Sequence, residues 1–179
     1  MKRLLPAALI LIVVALAAGC GSDSSEPETA TDWANGVCTA LNTWVDDVTA
    51  AADPLKSGDL SKGSLEDAAD AVGSATSSLE SDLKDLGKPD TEAGQQAKDA
   101  VDELSSALQA GVDSIKTAVD DVSGVSGVVT VVTTIGTTLA TMQSQVTSAF
   151  TTLKGLDAQG ELQDAFEQAS ACQQLSGSS

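Results

Sequence analysis

Apolar residues recur every three or four positions through most of the chain after residue 30, and this spacing constrains the fold more than any other feature. Residues at that spacing share one face of an α-helix, whereas a half-buried strand needs strict alternation. Five segments carry the pattern, separated by short stretches rich in glycine, proline, serine or aspartate. The sequence therefore predicts an all-α fold in which every helix buries one face.

Capping and breaking residues set the predicted ends of these helices. Asp32 can cap the first helix, and Pro54 ends it because proline disfavours a helical residue before it. Ser64 caps the second helix, with Asp67 in the position of the acidic partner of a capping box. The five predicted helices cover residues 31–52, 64–86, 90–123, 125–153 and 161–175.

The fourth segment is rich in valine, threonine and glycine, which favour strands, but its apolar residues follow a heptad spacing. We therefore predict a helix. No charged residue occurs from Val122 to Leu153. A membrane span is the alternative, but threonine, serine and glutamine interrupt the run too often. We expect a central helix packed on several neighbours, with its threonines and serines lining the rest of its surface.

Together these segments predict an elongated antiparallel bundle of four to five helices. The third and fourth helices have about 30 residues each and would each span roughly 45 Å. The chain has no tyrosine, two tryptophans and two phenylalanines, so small aliphatic residues must build a thin core.

The N-terminus has the order of a signal peptide: the basic Lys2 and Arg3, an apolar run, then small residues. The run is too short for a membrane span. The stretch Leu16–Cys20 resembles the lipobox of bacterial lipoproteins, although Ala17 stands where leucine is commonest. The resemblance implies cleavage before Cys20 and lipid on its thiol. An ordinary secretory signal with a chance cysteine is the alternative.

These observations divide the chain into a signal peptide (1–19), an acidic flexible tether (20–30), a helical domain (31–175) and a disordered tail (176–179). The tether consists mainly of small, polar and acidic residues, so it lacks the apolar surface that folding requires. We expect the domain to lie on the extracytoplasmic face of the cell membrane, anchored through Cys20.

The net charge of −17 limits the possible partners. Removal of the signal peptide leaves seven lysines against 26 acidic residues, a net charge of −19. This charge excludes nucleic-acid binding, which needs basic patches, and an anionic membrane would repel the domain. A solvated, repulsive surface is the simpler interpretation, and a basic or cation-dependent partner is the alternative.

Three cysteines are present, and lipidation of Cys20 leaves Cys38 and Cys172 as an even pair in an oxidising compartment. Their disulfide would close a loop of more than 100 residues and join the first and last helices. Two buried free thiols are the alternative.

The sequence offers little catalytic chemistry. Without histidine, the usual serine triads and histidine-based metal sites are absent, and no EF-hand or glycine-rich phosphate loop occurs. Asp46 and Asp47 are adjacent, as are Asp120 and Asp121, and neighbours on a helix point about 100° apart. We predict no enzyme activity, no metal and no cofactor.

The aromatic residues are the most distinctive candidates for a binding site. Trp33 and Trp44 either fill the core or line a groove for a ligand or partner, and Phe166 would pack beside them. With Cys38 and Cys172 they form a set that resembles small secreted helical proteins of high-GC Gram-positive bacteria. That resemblance implies a location and a fold but no activity.

We therefore expect a membrane-anchored helical module that acts in interactions or structure at the cell envelope, with another envelope protein as partner. The alternative is a binding module for a small apolar ligand or lipid between helices near Trp33 and Trp44. The sequence identifies neither the partner nor the oligomeric state.

Overall fold

A computed structural model describes residues 29–58, 60–157 and 160–177. Within these ranges the chain forms six α-helices and no strand, which confirms the predicted all-α class. The helices are α1 (Ala30–Lys56), α2 (Lys62–Asp85), α3 (Gly94–Asp120), α4 (Gly124–Gly155), α5 (Glu161–Gln168) and α6 (Ser170–Gly177). The predicted signal peptide, the lipobox and most of the predicted tether lie outside the described residues.

The first four helices form an elongated antiparallel bundle. Each of α2, α3 and α4 packs along the helix that precedes it, since the loops between them are short. The contact between α1 and α4 is slight, and α5 and α6 pack on α1 beside it. The longest helix, α4, has 32 residues and is therefore about 48 Å long.

The prediction of a helix for the fourth segment is confirmed, but the expected central position of that helix is wrong. α4 packs mainly on α3 and more lightly on α5 and α1. Its buried side is a single stripe, so the opposite side faces solvent. The buried residues of this stripe are Val131, Ile135, Leu139, Met142, Val146 and Leu153.

Pro54 does not end α1, contrary to the prediction. The helix continues to Lys56, and the Ser57 N–H donates to the Asp53 carbonyl at 3.1 Å. Pro54 removes one N–H donor from the helix and so costs one backbone hydrogen bond. Burial of the Leu55 side chain in the core offsets this loss and holds the last turn in place.

Two predicted caps are also displaced. Thr29, and not Asp32, caps α1, and its hydroxyl accepts from the Asp32 N–H at 3.1 Å. Ser61, and not Ser64, caps α2. Ser64 is the third residue of that helix, and the two serines bond each other's backbone N–H in a capping box. Several serines, threonines and aspartates precede each helix, so composition alone does not select the cap.

The start of α3 lies later than predicted. Residues 90–93 form turns, and the helix begins at Gly94 rather than Asp90. A side chain at Gly94 would collide with the Pro89 carbonyl, so only glycine allows this close turn.

The last predicted helix is two helices. Ala169 is extended, with ψ of 116°, and separates α5 from α6. Asn35 of α1 then acts as a cap for α6, because its Oδ1 accepts from the Ala171 N–H at 3.1 Å. α6 runs to Gly177, two residues into the predicted tail.

Candidate functional site

The predicted disulfide is present and joins α1 to α6. Cys38 and Cys172 have an S–S distance of 1.98 Å and a Cα–Cα distance of 5.0 Å. Asn35 and Asn42 lie on the same stripe of α1, and the Asn42 Nδ2 donates to the Ala171 carbonyl at 2.8 Å. The stripe therefore holds α6 covalently and through hydrogen bonds. Sequence reasoning missed both asparagines, because their spacing marks a stripe but not its partner.

Trp33 and Phe166 meet, as predicted, in an edge-to-face contact with ring centroids 6.0 Å apart. Phe150 of α4 makes a second such contact with Phe166 at 5.8 Å. The Trp33 Nε1 donates to the Gly87 carbonyl at 3.3 Å, and the indole is only 1% exposed. These rings tie α1, α4 and α5 together in the core.

Trp44 lies apart from this aromatic cluster, so the prediction that Phe166 packs beside both tryptophans is right for Trp33 and wrong for Trp44. It is 1% exposed, and its Nε1 donates to the Thr76 hydroxyl of α2 at 3.1 Å. The structure therefore places Trp33, Trp44 and Phe166 inside the bundle. Five surface grooves on the described residues are lined by other side chains.

The acidic residues do not gather into a cation site within the described ranges. No group of three or more histidine, cysteine, aspartate or glutamate side chains there could hold a metal ion. Asp46, Asp47, Asp120 and Asp121 are all exposed. Three ion pairs link lysines to acids one turn away, and all three are on the surface, where they contribute little to stability.

The surface feature that stands out is the solvent side of α4, which we call the neutral face. Each of α1, α2, α3 and α5 exposes at least three carboxylates, whereas the only charged residue of α4 is Lys154 in its last turn. The neutral face consists of the exposed residues Ser126, Val129, Thr130, Thr133, Gly136, Thr137, Ala140, Thr141, Gln143, Ser144, Thr147, Ser148, Thr151 and Thr152.

The neutral face is less polar than its composition indicates. Six of its threonines donate their hydroxyl proton to a backbone carbonyl one turn earlier, at 2.8 to 3.2 Å. A hydroxyl bonded in this way turns toward the helix axis and leaves the γ-methyl outward. At these six positions the face therefore presents methyl groups and oxygen acceptors rather than free hydroxyl donors.

Six residues of the neutral face form an outward heptad row, which we call the outer seam: Val129, Thr133, Gly136, Ala140, Gln143 and Thr147. The spacing alternates between four and three residues, which is the spacing of a helix-pairing surface. Val129 is 58% exposed, the most exposed large apolar residue of the described chain. A methyl group at Gly136 would meet nothing within 4 Å.

A shallow groove of about 360 Å³ runs between α3 and α4 beside the neutral face. Leu104 and three alanines give it an apolar floor, and serine and threonine hydroxyls give it a rim. The Oε1 of Gln145, which lines the groove, is buried without a hydrogen-bond partner. Glu103 of α3 also lines the groove, so the uncharged surface ends at the α3 side.

No protein-family model, no curated protein and no solved structure matches this chain. None of the helices formed by the described residues is both long and apolar enough to span a membrane.

Proposed function

We propose that this chain is a lipoprotein held by Cys20 at the extracytoplasmic face of the cell membrane. We also propose that its helical domain is an interaction module of the cell envelope, with the neutral face of α4 as its contact surface. The observation that carries this second proposal is the placement of charge. A chain with 26 acidic residues leaves one helix of 32 residues without a carboxylate.

Desolvation explains why such a face suits a protein contact. A carboxylate buried at an interface needs a partner charge, and fully buried interface centres are depleted in charged residues. The hydroxyl protons of six threonines on the neutral face are already bonded within α4, so covering them costs less than covering free donors.

The anchor proposal is supported by the sequence around Cys20. The acidic stretch from Cys20 to Thr29 can extend about 35 Å, which allows the domain to stand off an anionic surface. Ligand binding between the helices near Trp33 and Trp44 has less support, because both rings are buried against protein.

The test is co-purification of partners from envelope membranes with two matched pairs of substitutions. Thr133→Glu with Thr137→Glu places two charges on the neutral face. Thr39→Glu with Thr49→Glu makes the same change on α1, where both threonines are also exposed and bonded to a carbonyl one turn earlier. We expect the first pair to lower partner recovery by about tenfold and the second to leave it unchanged. Equal recovery with both pairs would rule out the neutral face as the contact surface.

A further inference from the structure

We propose that the groove between α3 and α4 binds a small organic ammonium ion, in which a protonated amine is attached to a short apolar body. The proposal adds a ligand site to the molecule and does not depend on the proposed function. Three observations carry it: hydrogen-bond acceptors at the groove that no protein group uses, the charge of the lining, and an apolar floor beside them.

One row of hydroxyls at the groove differs in its bonding from the threonines of the neutral face. Ser144, Ser148 and Thr152 follow one another at one-turn spacing along the rim, and none of them forms a hydrogen bond within the described part of the chain. Six threonines of the neutral face bond a carbonyl one turn earlier instead. The oxygens of the three rim hydroxyls can therefore accept hydrogen bonds from a ligand.

The Gln145 side chain adds an acceptor on the α4 side of the groove. Its Oε1 is buried and has no hydrogen-bond partner among the described residues. A buried acceptor without a donor loses the hydrogen bond that water gives it in the unfolded chain, so a ligand N–H here would recover free energy. An ammonium group has three N–H donors and no acceptor, which suits a place where acceptors are in excess.

The charge of the lining selects a cation. Glu103 of α3 supplies a carboxylate, and no lysine is among the residues that line the groove. An anionic ligand would meet this carboxylate on a protein of net charge −17, whereas the field of the whole molecule concentrates cations near its surface. A neutral donor could use the same acceptors, but its hydrogen bond to Glu103 would be weaker than that of an ammonium group.

The floor of the groove requires an apolar body on the ligand. Leu104 and the alanines at 100, 107 and 149 form this floor, and the volume of about 360 Å³ falls within the range of small-molecule sites. A bare ammonium ion or a metal ion would leave the apolar floor in contact with water, whereas a short alkyl chain covers it.

The buried acceptor distinguishes this groove from the other four on the described residues. Two buried side-chain atoms there have no hydrogen-bond partner, Gln145 Oε1 and Thr91 Oγ1, and Thr91 lines none of the five grooves. The groove between α2 and α3 also has carboxylates, but Lys84 and Lys98 line it as well and supply its cations.

The experiment is an NMR titration of the full chain in neutral nanodiscs, followed through the backbone amides. The probe is hexylammonium. Methylammonium has the same charge without the apolar body, and hexanoate has the apolar body with the opposite charge. Nα-acetyl-lysine methylamide presents the ammonium group as a lysine side chain of a protein would.

Three variants locate the site. Glu103→Gln removes the carboxylate of the groove, whereas Glu92→Gln removes an exposed carboxylate that lines none of the five grooves. Gln145→Met keeps the length of the side chain and removes the buried acceptor. The amide spectrum of each variant also shows whether it is folded.

We expect hexylammonium to shift the amides around the groove with a dissociation constant on the order of 1 mM. Methylammonium and hexanoate should bind about tenfold more weakly or less, because each lacks one of the two contacts. We expect binding of hexylammonium to weaken about fivefold with Glu103→Gln, about threefold with Gln145→Met and less than twofold with Glu92→Gln.

Four results would overturn the inference. These are no saturating shifts at the groove up to about 20 mM hexylammonium, equal binding of hexanoate, equal weakening by Glu103→Gln and Glu92→Gln, or tighter binding of the lysine derivative, which would assign the groove to a protein side chain. If hexylammonium does not bind while Thr133→Glu with Thr137→Glu still lowers partner recovery, only the inference fails and the proposed function stands.

Discussion

At the scale of single residues, a few contacts between distant parts of the chain fix the fold. Cys38 and Cys172 are 134 positions apart in sequence, and Asn35 and Asn42 meet the backbone of α6 across a similar separation. Trp44 and Thr76 form a buried polar pair between α1 and α2. Each of these contacts joins α1 to a helix that lies later in the sequence, α2 or α6.

The disulfide should contribute strongly to stability. Replacing both cysteines, Cys38→Ser with Cys172→Ser, removes a constraint on a very long loop of the unfolded chain, and we expect a loss of about 2 to 5 kcal/mol. Urea unfolding of the oxidised and reduced wild-type protein provides the control, and the reduced protein should resemble the variant. A loss below about 1 kcal/mol would show that the link between α1 and α6 is dispensable.

The Trp44–Thr76 pair makes a second residue-scale prediction. Thr76→Val leaves the buried indole N–H without an acceptor and should cost about 1 to 3 kcal/mol. Adding Trp44→Phe removes the donor as well, so the double variant should be less destabilised than the sum of the two single variants. Additive losses in this double-mutant cycle, measured by urea unfolding, would mean that the hydrogen bond contributes nothing.

At the scale of helices, a glycine at the contact between α3 and α4 and a glycine on the solvent side of α4 are expected to behave in opposite ways. Gly111→Ala places a methyl group against the buried Met142, and we expect a loss of about 1 to 2 kcal/mol. Gly136→Ala meets nothing within 4 Å and should stabilise the monomer by about 0.5 to 1 kcal/mol. Urea unfolding compares the two variants directly. Changes of the same sign in both would contradict the assigned exposure of Gly136.

The helices also show how far the sequence could predict this fold. The heptad spacing was enough to identify α4 as a helix despite its valines and threonines, because periodicity reports burial directly. It could not show that α5 and α6 are separate, since the cap of α6 is Asn35, from the far end of the chain. The charge-free run from Val122 was visible in the sequence, but its exposure depends on which helices pack beside α4.

At the scale of the whole molecule, we propose an acidic bundle with one long helix free of carboxylates and a lipid anchor at Cys20. Lipid anchoring at Cys20 can be tested by mass and by fractionation. The intact mass of the mature protein should correspond to residues 20–179 with a lipid on Cys20 and with the two hydrogens lost in the disulfide. With residues 1–19 replaced by an ordinary secretory signal peptide that is cleaved without lipidation, Cys20→Ala should move the protein from the membrane to the soluble envelope fraction, because no acyl chain is then attached. Membrane retention of that variant would contradict lipid anchoring.

The central claim is that the molecule makes its contacts through the neutral face of α4, and site-specific photo-crosslinking in intact cells tests it most directly. A photoreactive side chain replaces Thr137 on the neutral face or Thr39 on α1; both threonines are exposed and both bond a carbonyl one turn earlier. We expect abundant crosslinked species from position 137 and few from position 39. Equal crosslinking from both positions, or crosslinking from position 39 alone, would contradict it.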